Sequence, residues 1–500
     1  MDLPKILLVT PELAYLPEDA GIYIERYGKK FRRYLSGWNF PKSGGLADMT
    51  SPLAIELKNN NVNIGIALPY IPKGTQKHIS ETIEEETEKL QGEGFVEGRN
   101  LFFVKNEYFD NLDKLYAGDG RLFSLLFQKE VLNNIIPHWQ PSLTHTHDWT
   151  TGFIGSLSHP DIKNLHTIHN FHDEIIPQDI LFSFGLPLYN SNKLWMENYD
   201  SNKIKFQLSG IFGSDFINTP SRGWLEDIVD GRVPGSNNLD FVKEVRNKLE
   251  SARAWYVLNA PDTSYASEDD SNIPYKFSLE DIIEMKKLNK VDFQSKKRLN
   301  PDYKAPLIVW TNRADPVQKG IHLLNDSLDF LMNRYKNPGL QIAIVADGPY
   351  ISVLKKNIHN LEENGFKGRI SISGFSDEVE RQAYAAGDAL LNFSLYAPCE
   401  LVQMKGSKYG CIPIVRKVGG LRDSVCPISK GGNGIVAEHY DTNSLIWAIN
   451  EFLTLYHGDK GNYFKTVKKV KKFADDNFTV GNMAKNYVNL YERILDKKVK

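Results

Sequence analysis

Cysteine, long apolar runs and an excess of one charge are all scarce in this chain. Only three cysteines occur in 500 residues, at Cys399, Cys411 and Cys426. No two stand at metal-ligand spacing and an odd count builds no closed disulfide framework, so a reducing compartment is expected. No apolar run approaches the ~20 residues that a membrane-crossing helix needs. Lys and Arg number 60 against 62 Asp and Glu, a formal net charge of -2. That balance gives no bulk attraction to nucleic acid or to an anionic membrane. The basic run Lys468, Lys469, Lys471, Lys472 reads as a solvated helix face. The chain passes almost at once into Ile6-Leu7-Leu8-Val9, without the charged, apolar and small-residue sections of an export signal. A soluble, cytoplasmic protein with no nucleic-acid partner and no membrane span is the expectation.

What is present is ordinary globular composition, with 41% hydrophobic and 24% charged residues. A chain this long exceeds one typical core, so two domains are expected. Short apolar runs alternate with helical patterns. In the first half the runs cover residues 5–9, 62–68, 101–104, 143–145, 165–169 and 216–218. In the second half they cover 306–310, 341–345, 370–372, 389–393 and 412–415. Continuous apolar strands separated by helices belong to parallel sheets covered on both faces. Two such series predict an α/β chain of two Rossmann-like, doubly wound domains. The charged stretch 286–304 has no apolar strand and marks the expected boundary, giving residues 1–300 and 301–479. The last helix carries Met483, Ala484, Tyr487, Leu490, Tyr491 and Ile494 at i, i+3/i+4 spacing and fits either domain. Residues 12–40, rich in Tyr and Arg, read as an insertion.

Several strand ends carry polar residues, where ligands of open α/β sheets collect. Lys42-Ser43-Gly44-Gly45 precedes a helical run; paired glycines there let backbone N–H groups approach an anion, although a plain turn has the same look. His145-Thr146-His147-Asp148-Trp149 ends one strand, with Asp148 also readable as the cap of the next helix. A zinc site from His145, His147 and His172 lacks convincing ligand spacing. His166-Thr167-Ile168-His169-Asn170 ends another strand.

In the second half, Asn312-Arg313 and Gln318-Lys319-Gly320 put two cations in one strand-end loop before a helix, an arrangement suited to a diphosphate. Exposed loop charges are the plain alternative. Pro398-Cys399-Glu400-Leu401 and Gly419-Gly420-Leu421 each precede a helical run and offer two further anion-accepting helix starts.

In this order the motifs resemble glycosyltransferase family 5, the bacterial glycogen synthases and plant starch synthases. Lys42–Asp48 is similar to the family's KxGGLxDV, His145–Trp149 to HxHDW and Thr167–Asn170 to TxHN. Leu258–Asp262 is similar to LNGID with Ala260 in place of glycine, and Arg313 with Gln318–Gly320 resembles RLxxQKG. Ala397–Gln403 corresponds to EPCGLTQ and Gly419–Val425 to GGLxDTV.

The resemblance covers nearly the whole chain and implies the GT-B fold, with an interdomain cleft. It makes residues 1–300 the acceptor side and 301–479 the nucleotide-sugar side, with helix 480–500 packed back on the first domain. It implies a retaining transferase that moves glucose from a nucleoside-diphosphate sugar, ADP-glucose before UDP-glucose, to an α-glucan or other glycan acceptor. No metal or other cofactor is implied.

By the same resemblance Arg313 and Lys319 neutralise the leaving diphosphate, His169 holds the sugar or the departing phosphate, and Asp148, His147 and Asn259 face sugar or acceptor. Lys42, Gly44, Gly45, Cys399, Glu400, Leu401, Gly419, Gly420 and Leu421 line the donor, and Phe375 stacks on its base.

One departure matters. The family's glutamate in EPCGL corresponds to Ala397, its neighbouring arginine to Leu395, and the glycine after Pro-Cys to Glu400. Losing that carboxylate removes hydrogen bonds to sugar hydroxyls and a negative charge beside a cationic glucosyl transition state. Four explanations stand: an engineered change, compensation by Glu400, a different donor or acceptor, or a catalytically impaired homologue that binds nucleotide or glucan. A phosphorylase-like reaction finds no pyridoxal-phosphate lysine motif here. Oligomeric state is left open.

Overall fold

A computed structural model describes residues 3–15, 25–26, 29–30, 45–74, 94–98, 100–197, 202–233, 239–336, 339–496 and 498–499. Most of the 12–40 segment, with Lys42 and Gly44, lies outside them. The chain forms two compact units: Met1–Pro220 with Ile228–Leu258 and Val480–Lys500, and Ser221–Asp227 with Asn259–Thr479.

The main sheet of the first unit has eight strands among the described residues: β1 Lys5–Val9, β2 Asn63–Pro69, β3 Gly94–Gly98, β4 Leu101–Lys105, β5 Leu143–His147, β6 Lys163–Thr167, β7 Phe216–Thr219 and β8 Ala254–Tyr256. Their order across the sheet is β8-β7-β6-β5-β1-β2-β4-β3. All neighbours are parallel except β3 and β4. Ile6, Leu7, Leu8 and Val9 are fully buried, as a central strand with helices over both faces requires.

The second unit holds β9 Leu307–Trp310, β10 Gln341–Val345, β11 Ile370–Ser373, β12 Ala389–Asn392, β13 Ile412–Arg416 and β14 Ile435–Ala437. Their order is β11-β10-β9-β12-β13-β14, all parallel, with the strand order reversing at β9/β12. That is the doubly wound arrangement, whose switch point lies where β9 and β12 diverge. All eleven apolar runs read from the sequence lie on these strands. Of the rest, β8 and β14 are only three residues long and β3 carries glycine at both ends, so none shows an apolar run.

Residue 300 is not where the units divide. Residues 259–300 belong to the second unit, because the charged stretch forms a helix, α2 Ile282–Lys296, that packs into it. Two of its lysines, Lys286 and Lys290, point inward. Lys286 donates to the carbonyls of Tyr384, Ala385 and Tyr409 at 3.1, 3.2 and 2.9 Å. Two of these carbonyls close the C-terminal turn of α4 Asp377–Ala386 (α3 being Ile321–Arg334), where a cation is favoured. One turn on, Lys290 lies 2.5 Å from Asp388. The stretch looks like a boundary in sequence, yet the charges of Lys286 and Lys290 are satisfied in the interior. The basic run near the C-terminus differs from expectation in the same way at one position. Lys471 is fully buried and pairs with Glu268 and Asp475, both at 3.0 Å.

The last helix, α9 Val480–Leu495, belongs to the first unit and packs on α1 Gly45–Asn59. Tyr491 reaches the Nδ1 of His145 at 2.8 Å, and Tyr487 accepts from the Asn218 amide at 3.1 Å. Among the described residues no helix is long and apolar enough to cross a membrane.

Candidate active site

In the first unit the polar residues gather past the carboxyl ends of β5 and β6. The Nδ1 of His147 lies 3.0 Å from the Nε2 of His169, so one ring donates and the other accepts. The Nε2 of His147 is buried without a partner among the described residues. His145 spends both ring nitrogens on protein, on Tyr491 and, at 2.7 Å, on the Thr167 hydroxyl. His166 pairs with the Thr146 hydroxyl at 2.9 Å. Burial holds these imidazoles neutral, pushing His169 down to about 3 and His166 to about 4, with His145 and His147 also well below the ordinary range.

Asp148 does not cap the helix that follows it. Its carboxylate accepts from the backbone N–H groups of His169 and Asn170 at 2.7 and 3.1 Å, tying the two strand-end loops together. Its backbone stands at φ 55°, a conformation costly for a residue other than glycine and concentrated at functional sites. Burial raises its pKa to about 7, against the opposing pull of those two N–H donors. Glu12, just past β1, adds negative charge nearby and accepts from the Tyr116 hydroxyl at 2.8 Å. Sequence reasoning passed over both Glu12 and Tyr116. Glu12 sits three residues beyond a strand end, a position that signals a site, whereas Tyr116 comes from a distant loop with no motif around it. Gly45 opens α1 and is exposed.

In the second unit two loops meet beyond β9 and β12. Asp315 accepts from the N–H groups of Val317 and Gln318 at 2.8 and 2.9 Å, which folds the first loop. Arg313 leans on Asp315 at 3.4 Å with 62% of its side chain exposed. Gly320, which precedes α3, stands at φ 73°, and a Cβ there would lie 2.1 Å from the Phe393 carbonyl oxygen. Only glycine lets the loops come this close. The Leu395 N–H donates to the Gln318 carbonyl at 2.7 Å and seals the contact.

Lys319 is not an open-loop lysine. Its Nζ lies 2.5 Å from Oε1 of Glu400, and the two side chains are only 15% and 5% exposed. The Ser394 hydroxyl lies 3.1 Å from the same carboxylate oxygen. Glu400 has φ 63°, so a side chain occupies a backbone conformation that favours glycine. Phe375, past β11, keeps 43% of its surface exposed, with its N–H on Asp347 at 3.3 Å.

The Gly419-Gly420 turn, which opens the short helix α6 Gly419–Ser424, differs from its expected use. The Gly419 N–H donates to Asp227 at 2.8 Å and the Gly420 N–H to the Ala397 carbonyl at 2.9 Å. Those two donors are committed to protein, not held for an anion. The glycines serve close packing, since a Cβ at Gly420 would meet the Cys399 carbonyl oxygen at 2.3 Å. Leu421 likewise packs with Ala397, Val415, Val418 and Val425 in an apolar cluster. Cys399 is buried, and burial raises its thiol pKa. Leu401 stands at the start of the helix Val402–Lys408 (α5). Asn259 is buried in this second unit, its side-chain oxygen without a partner among the described residues, not in the first unit where the 300 boundary had put it.

Residues 37–240 match the family model described as the starch synthase catalytic domain, and residues 305–454 that of glycosyl transferases group 1. A glycogen synthase of Thermosipho melanesiensis is 30% identical over 492 residues, which cover 92% of this chain and 98% of that protein. One from Fervidobacterium nodosum is 30% identical over 499 residues, covering 92% and 97%. The chain belongs to the glycogen synthase family.

This family member also shares its fold with the catalytic domain of starch synthase IV from Arabidopsis thaliana, solved bound to ADP and acarbose. The TM-score is 0.77 at 21% identity, covering 99% of this chain and all of that one. The fold is GT-B, and the protein is a glycosyltransferase. Within the family frame, the sequence motifs fall at strand ends in each unit, the positions from which a doubly wound sheet presents side chains to a ligand. Among the described residues no three His, Cys, Asp or Glu side chains converge as metal ligands.

Proposed function

We propose that this glycogen synthase family member transfers glucose from ADP-glucose to the nonreducing end of an α-1,4-glucan, with retention of configuration. In the reaction the bond from glucose C1 to the diphosphate breaks, the acceptor O4 bonds to C1, and its proton is released. Negative charge grows on the departing diphosphate. Donors placed where that charge develops lower the barrier.

The observation that carries this reading is the β9 loop, with an exposed Arg313 and a Lys319 fixed by Glu400 directly before the 14-residue helix α3. A guanidinium fork, an ammonium and a helix start supply the positive charge a diphosphate calls for. The half-exposed ring of Phe375 supports base stacking from the end of β11. On the first unit we assign His169 and Asp148 to sugar or acceptor hydroxyls, the neutral imidazole as partner and the carboxylate as acceptor.

Glu400 is the carboxylate beside these cations, and Ala397 is packed into the apolar cluster. In this reading Glu400 is the carboxylate on the sugar side of the donor. Titrating the protein with ADP, UDP and GDP tests the donor assignment. ADP binding tightest, and weakening at least ~10-fold in Phe375→Ala, is the expected result; equal or tighter binding of UDP or GDP would displace the adenine assignment.

A further inference from the structure

A second recess in the second unit lies away from the strand-end loops, beside the residues that precede β9 and β12. Its cavity of about 470 Å³ is lined by α2, by Tyr303 and Lys304, by the C-terminal end of α7 Thr442–His457 and by the first turns of α8 Lys460–Asn477. That volume falls in the range of small-molecule sites.

Five lysines line it and Asp388 is the sole carboxylate among its lining residues. Lys286 is consumed by three backbone carbonyls, and Lys290 by Asp388. Asp388 is itself fully used, accepting also from the Tyr463 hydroxyl at 2.9 Å and the Leu307 N–H at 2.8 Å. The other three lysines have no buried carboxylate partner among the described residues. Lys287 pairs with the exposed Glu284 at 2.8 Å, Lys460 donates to the Tyr456 carbonyl at 2.5 Å, and no carboxylate pairs with Lys304 or Lys460 among the described residues.

The walls are aromatic. Lys460 stands 4.2 Å from the Tyr456 ring centre and Lys290 5.4 Å from the same ring. Lys287 lies between Tyr303 and Phe464, at 5.9 and 6.0 Å, and Lys304 is 5.7 Å from Tyr303. Burial together with the charge of Lys290 lowers the pKa of Lys460, with Asp388 opposing. Like charges crowded over shared rings are a condition that an arriving anion relieves. Several lysines lining one cavity suit the terminal oxygens of a phosphate, and tyrosine and phenylalanine walls accept the face of a ring.

We propose that this cavity binds a small organic phosphate, with the phosphate on Lys304 and Lys460 and its ring against Tyr303 and Phe464. The ring is that of a sugar or of a nucleobase, and both present a face to stack. The site is separate from the donor loops and does not depend on the glucosyl transfer reading.

Isothermal titration of the full chain with AMP, glucose 6-phosphate and inorganic phosphate tests it. One of the two ring phosphates should saturate with at least ~10-fold lower Kd than inorganic phosphate. The double variant Lys304→Glu/Lys460→Glu, at two exposed positions, should weaken that binding at least ~10-fold and Tyr303→Ala several-fold. Arg313→Ala should leave it unchanged. Three results would each overturn the proposal: no saturable ring phosphate, equal affinity for inorganic phosphate, or binding lost in Arg313→Ala yet kept in the double lysine variant.

Discussion

Lys319 and Glu400 form a buried ion pair, Nζ to Oε1 at 2.5 Å, in the loops that follow β9 and β12. Removing one partner of such a pair leaves an uncompensated charge in the interior. Lys319→Ala is therefore expected to cost on the order of 3 kcal/mol of stability, read as a lower midpoint in denaturant. Lys319→Ala/Glu400→Ala should recover most of that loss. Arg313→Ala, at a side chain 62% exposed, should leave the midpoint unchanged.

The same pair bears on donor affinity. Glu400 neutralises part of the charge that Lys319 would offer a diphosphate. Glu400→Gln should keep the side chain's volume, free that charge and tighten nucleoside diphosphate several-fold in a binding titration. Unchanged affinity would separate Lys319 from the diphosphate.

Turnover should depend on Arg313 without a structural cost. Loss of one preformed donor to developing charge typically removes ~100- to 1000-fold in rate, so Arg313→Ala should lower kcat by that order while its unfolding midpoint stays put. Near wild-type turnover would move the phosphate site elsewhere.

The strand-end histidines make a prediction about pH. The folded values of about 3 for His169 and about 4 for His166 lie below the ordinary 6.5. As pH falls through that window the unfolded chain takes up protons that the folded chain refuses, so these residues cost stability toward acid. Asp148, raised from 3.8 to about 7, has the opposite sign: its contribution is full at acid pH and is lost as pH rises through about 7. In NMR the C2–H resonances of His166 and His169 should not titrate between about pH 8 and 5. A transition near 6.5 in either would contradict their burial.

The helix α9 should matter to the first unit. Tyr491→Phe leaves the buried Nδ1 of His145 without its partner and should cost ~1–3 kcal/mol, measured by denaturant unfolding. No loss would mean that water replaces the hydroxyl.

Much of the fold was legible because a parallel sheet buried on both faces writes itself as continuous apolar runs, as in Ile342–Val345. Short edge strands such as Ala254–Tyr256 leave no such trace. The boundary at 300 failed because Lys286 and Lys290 look solvated in sequence, while their partners, the carbonyls ending α4 and Asp388, stand about a hundred residues away. The motif positions were legible too, since strand ends collect polar residues. Partner choice was not. Nothing local tells that Asp148 would hold the His169 loop instead of capping a helix, or that Asp227 and Ala397 would take the N–H groups of Gly419 and Gly420. Glu400 was visible as a departure from glycine, but its bond to Lys319 depends on two loops meeting.

Glucosyl transfer itself is open to a single assay. Purified protein is incubated with ADP-glucose and maltooligosaccharide, while ADP release and chain length are followed together. ADP should be released in step with chains that grow by α-1,4-linked glucose, more slowly with UDP-glucose. Turnover indistinguishable from buffer with ADP-glucose, UDP-glucose and GDP-glucose alike would contradict it and leave a protein that binds without transferring.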